Sequence, residues 1–269
     1  MGQIANLIPR LIDNPKLILN RLYYTATGTS VGDLRDRIED YRETFNTLLE
    51  MSRRAGDAVR VLPLDSFLDA HRYTNEAEEL AALFNAYGSD KATKHNYHLV
   101  YAELLGARKN DACAILEIGL GTNNTQIRSN MGAHGKPGAS VRAFRDWGKR
   151  FMLCGADIDA KILFSEERIR TYHVDQTDPA TLAELALKLA PLKFDLIIDD
   201  GLHMPWANLN TLNFALPLLA PDGAFVIEDI VDEYIPVWNV IAKFIPADYA
   251  FELIKCKSES VCIVRKRMA

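Results

Sequence analysis

The sequence has no run of apolar residues approaching the roughly 18 that a membrane-spanning helix requires, which argues against a membrane protein. It also has no C-x-x-C pair among its four cysteines, Cys113, Cys154, Cys256 and Cys262. Each cysteine sits in an apolar run that reads as a strand, which fits buried free thiols in a reducing compartment better than disulfides. An excess of basic charge is missing too. The 31 Lys and Arg are outnumbered by 36 Asp and Glu, a net charge of −5, which argues against a nucleic-acid partner. Near the N-terminus Pro9, Arg10, Asp13 and Lys16 interrupt any signal-peptide core, and Asn6 stands where myristoylation calls for Ser or Thr. What remains is ordinary globular stock, 48% hydrophobic, 25% charged and 9% aromatic, which excludes disordered, collagen-like and coiled-coil chains. A soluble cytoplasmic protein with one main domain and an extension is the expectation for 269 residues.

The first 75 residues differ from the rest. Ile4, Leu7, Ile8, Leu11, Ile12, Leu17, Ile18 and Leu22 fall in short pieces cut by Pro9 and Pro15. Asp33 is expected to cap a helix running to about Ala55, with Leu34, Ile38, Tyr41, Phe45, Leu48 and Leu49 on one stripe. Such a helix cannot bury its stripe alone, so residues 1–75 are expected to be a helical extension that packs or makes a homo-oligomer. Residues 76–269 then form the main domain. Helices are expected at 75–87, ended by Gly88, and at 96–105. Seven strand-like runs follow, at 113–118, 151–156, 169–174, 194–199, 224–228, 250–254 and 261–264. Helical patterns at 140–149, 160–167, 179–189, 205–219 and 233–244 separate all but the last two. This alternation predicts an α/β, Rossmann-like doubly wound sheet, mostly parallel, with an antiparallel C-terminal edge.

Polar groups collect where these strands end. Glu117-Ile118-Gly119-Leu120-Gly121 places an acid two residues before a G-x-G, whose glycines permit a tight turn and close approach of a ligand. A dinucleotide fingerprint needs a third glycine, and Asn124 stands there instead. Acid-x-Gly-x-Gly is the arrangement of Rossmann-like methyltransferases, in which the acid orients the turn and reaches the ligand's amino group. Asp157 can accept both hydroxyls of a ribose, Asp159 reads better as a helix cap, and Asp175 is suited to an adenine amino group. Asp178, before Pro179, reads as a cap. Three successive strand ends suited to amino acid, ribose and base favour S-adenosylmethionine over a nicotinamide cofactor. The segment Thr122–Ala139 is too long for an ordinary βα connection and reads as a lid. Its Arg128 and Lys136, with Arg142 and Arg145 beyond, are either solvated charge or contacts for an anionic substrate.

The fourth and fifth strand ends carry Asp199-Asp200-Gly201-Leu202-His203 and Ile227-Glu228-Asp229. In a doubly wound sheet these strands are neighbours, and Asp200, Glu228 and Asp229 crowd into one crevice, which a cation must neutralise. Mg²⁺ suits a few carboxylates that leave room for water or substrate oxygens. His203 lies at the mouth of the same crevice, able to take a proton near physiological pH. Taken singly, Asp199 as a turn acid, Asp200 as a cap and His203 as a surface histidine stay open as simpler readings.

Together with Gly88-Ser89-Asp90-Lys91, His95-Asn96-Tyr97, Gly138-Ala139-Ser140-Val141-Arg142 and Asp175-Gln176, these motifs resemble class I S-adenosylmethionine-dependent methyltransferases. The branch they resemble is the metal-dependent sugar O-methyltransferases of macrolide biosynthesis, over about residues 85–230. The resemblance implies Asp200, Glu228 and Asp229 as Mg²⁺ ligands, His203 as general base with Asp200 beside it in catalysis, and a sugar or glycoside acceptor. It implies a cofactor site drawn from Ser89, Tyr97, Glu117, Gly119, Gly121, Ser140, Asp157, Asp175, Gln176 and Asp199. Leu202 stands where that branch has a small polar residue. The alternative reading is a non-catalytic subunit that binds S-adenosylmethionine or S-adenosylhomocysteine.

Overall fold

The computed structural model describes residues 30–56, 59–69 and 72–267. The apolar pieces expected within 3–23 lie outside the described residues. The chain divides into two compact units, Met1–Asp57 and Ala58–Ala269. In the first, helix α1 (Val31–Arg54) begins one turn earlier than Asp33 suggests. Ser30 is the cap, and its hydroxyl accepts from Asp33 N at 2.9 Å while the Asp33 carboxylate accepts from Ser30 N at 3.2 Å. This reciprocal box satisfies two of the free donors at the helix start. Ile38, Tyr41, Leu48 and Met51 of its apolar side are exposed.

The second unit is built on one sheet of nine strands: β1 (Val61–Pro63), β2 (Ala114–Ile118), β3 (Met152–Asp157), β4 (Ser165–Glu166), β5 (Ile169–His173), β6 (Phe194–Asp199), β7 (Leu219–Ile230), β8 (Tyr249–Lys255) and β9 (Ser260–Lys266). Their order is β1-β8-β9-β7-β6-β2-β3-β5-β4. The run β7-β6-β2-β3-β5 is parallel, and β9 pairs antiparallel with both β7 and β8. The mostly parallel sheet and antiparallel C-terminal hairpin are as expected.

Two strands beyond the expected seven are too short to show an alternating pattern. β1 joins the sheet edge beside β8, so residues 61–63 of the expected helical extension are strand. β4 replaces part of the helix expected at 160–167, of which only a 3₁₀ turn, Ala160–Ile162, forms. The Thr171 hydroxyl donates to Phe164 O and accepts from Phe164 N, both at 2.6 Å. With Arg168 at φ 61° turning the chain, that local pairing makes a hairpin to β5 in place of a helix.

Strand residues are buried on both faces, as a parallel sheet between helices demands. Ile115, Leu153, Leu196, Ile198 and Val226 share a core with helices α2 (Thr74–Tyr87), α3 (Tyr97–Leu105) and α4 (Ala139–Trp147). Their sequence neighbours Leu116, Cys154, Ile197 and Phe225 join a second core with α5 (Pro179–Leu189), α6 (Pro205–Ala215) and α7 (Ile235–Ile241). The α2 helix stops at Gly88, whose φ of 82° ends it in the left-handed conformation. Asp178 caps α5 through Ala180 N at 2.9 Å. Among the described residues no helix is long and apolar enough to cross a membrane.

Phe144 sits between Phe84 and Tyr101, edge-on to both at 5.3 and 5.1 Å, and is fully buried. Phe144→Ala is expected to cost about 3–5 kcal/mol of stability, read from the urea unfolding midpoint.

Candidate functional site

A cavity of about 760 Å³ opens at the carboxyl ends of the parallel strands, where open α/β sheets place their ligands. The turn Gly119–Gly121 after β2 forms its floor, with Asp157, Asp175, Asp200, His203, Glu228 and Asp229 among its lining. Gly119 has φ 94°, and a side chain there would run into the backbone of Asp200 and Gly201. Only glycine lets the β2 turn lie against the β6 turn. Asp200 N donates to Ile118 O at 2.8 Å across the same junction.

The register explains the acid cluster. Asp199 pairs with Ile227 across β6 and β7, so Asp200 and Glu228 emerge side by side one step further on. Asp200, His203 and Asp229 each bring one ligand atom within 4.8 Å of the others. His203 Nε2 lies 3.9 Å from Asp200 Oδ1 and 3.8 Å from Asp229 Oδ2. Both His203 and Asp229 adopt positive φ, 56° and 57°, a cost of roughly 1–3 kcal/mol for a non-glycine residue, which functional sites commonly carry.

Glu228 lines the cavity, but both of its carboxylate oxygens are already engaged. It accepts hydrogen bonds from the Tyr101 hydroxyl and from Lys91 Nζ. Lys91, in the motif after Gly88 but given no role from sequence, is the residue that reading missed. Its side chain is 4% exposed, with Nζ 2.6 Å from Asp200 Oδ2 and 3.3 Å from Glu117 Oε1. Burial alone would lower the ammonium's pKa, but Asp200, Glu228 and Glu117 outweigh it and hold Lys91 well above its usual range. Burial meanwhile raises Glu117 and Glu228, despite the opposing Lys91 charge. A site so short of positive charge invites a cation, and its hard oxygen donors suit Mg²⁺.

On the cofactor side the expected residues separate into two groups. Gly119, Gly121, Ser89, Ser140, Asp157, Asp175 and Gln176 line the cavity, whereas Tyr97, Glu117 and Asp199 do not. Glu117 is fully buried beneath the turn. Its Oε2 accepts from Ser140 Oγ at 2.5 Å, while Oε1 faces the Lys91 ammonium at 3.3 Å. Asp199 is enclosed and satisfied within the protein, by Gln176 Nε2 at 2.6 Å, Asn208 Nδ2 at 3.0 Å and Gly201 N at 3.3 Å. It therefore ties the β6 turn instead of meeting a ligand. The Gln176 amide is likewise spent on Asp199, Thr211 and Leu202 N. Tyr97 sits behind the acids, its hydroxyl donating to Asp229 Oδ1 at 2.6 Å. Asp157 holds the turn through Leu120 N and Asp159 N, both at 2.8 Å. Asp159 caps the following 3₁₀ turn, the better of its two sequence readings.

The long 122–138 loop is anchored by Ser129 Oγ donating to Gly201 O at 2.5 Å and by Asn123 Nδ2 donating to Gly132 O at 2.6 Å. Arg128 and Lys136 line the cavity, whereas Arg142 and Arg145 are engaged with Glu166. Behind Asp229, His95 stacks on Tyr97 and approaches Asp90 at 3.5 Å.

Strand order, glycine turn and acid-bearing strand tips together define the class I methyltransferase fold. Its likeness to MycE methyltransferase from the mycinamycin biosynthetic pathway, solved with Mg and SAH, has a TM-score of 0.56 at 23% identity, covering 70% of this chain and 54% of that one. No protein-family model matches the chain. Among curated proteins it is 31% identical over 183 residues to the 8-demethyl-8-alpha-L-rhamnosyl tetracenomycin-C 2'-O-methyltransferase of Streptomyces olivaceus, which spans 68% of this chain and 46% of that protein. It is 36% identical over 129 residues to the mycinamicin VI 2''-O-methyltransferase of Micromonospora griseorubida, 48% of this chain and 30% of that protein. The matched region is thus less than half the length of these relatives.

The His95 imidazole beside Asp90 holds that carboxyl down at about 2, below its ordinary 3.8. Its ionised form therefore contributes stability above the unfolded value, and the contribution fades as pH falls toward the folded one. Asp90→Asn should be less stable than the wild type at about pH 5, with the difference shrinking as pH falls and vanishing only below about pH 2, in urea unfolding.

Proposed function

We propose that the chain is an S-adenosylmethionine-dependent, Mg²⁺-assisted O-methyltransferase that acts on a hydroxyl of a sugar or glycosylated small molecule. The observation that carries this reading is the meeting, in one cavity, of the glycine turn with Asp200, His203 and Asp229. The relatives support it, since their names describe O-methylation of glycosylated natural products. S-adenosylmethionine supplies a methyl group on a sulfonium, and Mg²⁺ when bound lowers the pKa of a hydroxyl oxygen.

The protein's own work is placement and proton transfer. Gly119 and Gly121 let the donor approach the backbone. Glu117, buried beneath the turn with Ser140 on one oxygen and the Lys91 ammonium beside the other, steadies the floor on which the donor lies. Asp157 and Asp175 serve the ribose and base. Asp200, Asp229 and Glu228 are the residues that would hold the metal. His203 Nε2 receives the acceptor's proton, because it faces the cavity beside both acids, 3.9 Å from Asp200 and 3.8 Å from Asp229. Holding the two reactants aligned supplies much of the rate. Four buried free thiols favour action in the cytoplasm, and the exposed side of α1 favours assembly into a homo-oligomer through the N-terminal helices.

Transfer of a labelled methyl group to a panel of glycosides tests the reading, and excess chelator should stop it. Full activity with chelator present would exclude the metal role. His203→Ala should lower turnover by about 10²–10⁴-fold while calorimetry shows S-adenosylhomocysteine binding unchanged.

A further inference from the structure

Among the described residues the Lys91 ammonium is the lysine or arginine charge in contact with Glu117, Asp200 and Glu228, and it occupies one oxygen of each of the last two. Those two residues are also in the proposed metal set. The Lys91 side chain is buried at the wall of the cavity, among the glycine turn and two strand tips, with its ammonium held by their carboxylates. An ammonium carries one charge on three directed N–H groups, whereas a divalent cation carries two and takes several oxygens at once. Both satisfy the same need, because carboxylates this close and this buried are costly without a counter-charge.

We propose that Lys91 is a built-in counter-ion that competes with the divalent cation for the oxygens of Asp200 and Glu228, and so sets how tightly the site takes its metal. This rests on the metal-assisted reading above. Lys91 keeps the metal-free site folded, because its charge offsets part of the repulsion among the acids. It also opposes the arriving cation by like-charge repulsion, so that the metal binds loosely and can leave with product. Lys91 is therefore a positioning residue, acting through the carboxylates without touching the reacting atoms.

Manganese binding, followed by electron paramagnetic resonance on the full chain, separates this from a merely structural role. Lys91→Met should bind Mn²⁺ at least about tenfold more tightly than the wild type. Its melting temperature should fall in chelator and recover with Mg²⁺, whereas the wild type should shift less between the two. Lys91→Arg, which keeps the charge, should behave as the wild type. Mn²⁺ binding in Lys91→Met that is equal or weaker would overturn the proposal, since an orienting role predicts a loss of affinity. If Lys91→Met folds only with Mg²⁺ present, the proposal is supported. If it folds in neither condition, Lys91→Met with Glu228→Gln is compared with Glu228→Gln alone: tighter Mn²⁺ binding supports the competition, and equal or weaker binding overturns it. A wild type that binds Mn²⁺ while Lys91→Met gains nothing defeats this inference alone. Failure of every form to bind Mn²⁺ defeats the metal reading, and this inference with it.

Discussion

One buried ammonium among three carboxylates is the interaction on which the site depends. Lys91 comes from the segment between α2 and α3, Glu117 from β2, Asp200 from the turn after β6 and Glu228 from β7. Four stretches distant in sequence are thereby drawn to one point at the carboxyl edge of the sheet. Removing the ammonium would leave the carboxylates crowded together with no counter-charge, which is far more costly than losing an exposed ion pair. Tyr101 adds a hydroxyl to Glu228 from below, and the edge-on contact of its ring with Phe144 ties that hydroxyl to the core of the α2–α4 face. The charge cluster and the hydrophobic core are thus one mechanical unit.

The same arrangement gives the two faces of the cavity different characters. On the glycine-turn side, Asp157 and Glu117 spend oxygens on Leu120 N, Asp159 N and the Ser140 hydroxyl, so the turn is held before any ligand arrives. On the β6–β7 side, His203 and Asp229 are held in left-handed backbone conformations and keep unengaged atoms, His203 Nδ1 among them. Preorganisation on one side and stored strain on the other suit a cavity in which one ligand is gripped and another is worked upon.

Much of this was legible from residue patterns because burial on both faces of a parallel sheet writes itself as apolar runs ending in polar residues. The strand ends at Ile118, Asp157 and Asp199, and the neighbouring of β6 and β7, follow from that rule. Length limited the rest. β1 and β4 have three and two residues, too few for any period, and the 160–167 segment has a helical composition overridden by the Thr171 hydroxyl. Side-chain direction was the other limit. Asp199 and Asp200 are adjacent, and sequence gives no sign that the first turns inward to Gln176 and Asn208 while the second faces the cavity. Lys91 stayed unassigned for the same reason, since a lysine after Gly-Ser-Asp reads as surface until the fold closes over it. The signal that pointed to it was the surplus of acids at the strand tips, which required a cation from somewhere in the chain.

Both borders of the sheet end in strands of very few residues, β1 finishing at Pro63 and β4 folded back on β5 as a hairpin. Proline offers no amide hydrogen, and a two-residue strand presents almost no ladder for another chain to extend. Among the described residues, growth of the sheet from molecule to molecule is therefore disfavoured at either border, which leaves side-chain surfaces as the readier ground for association between copies.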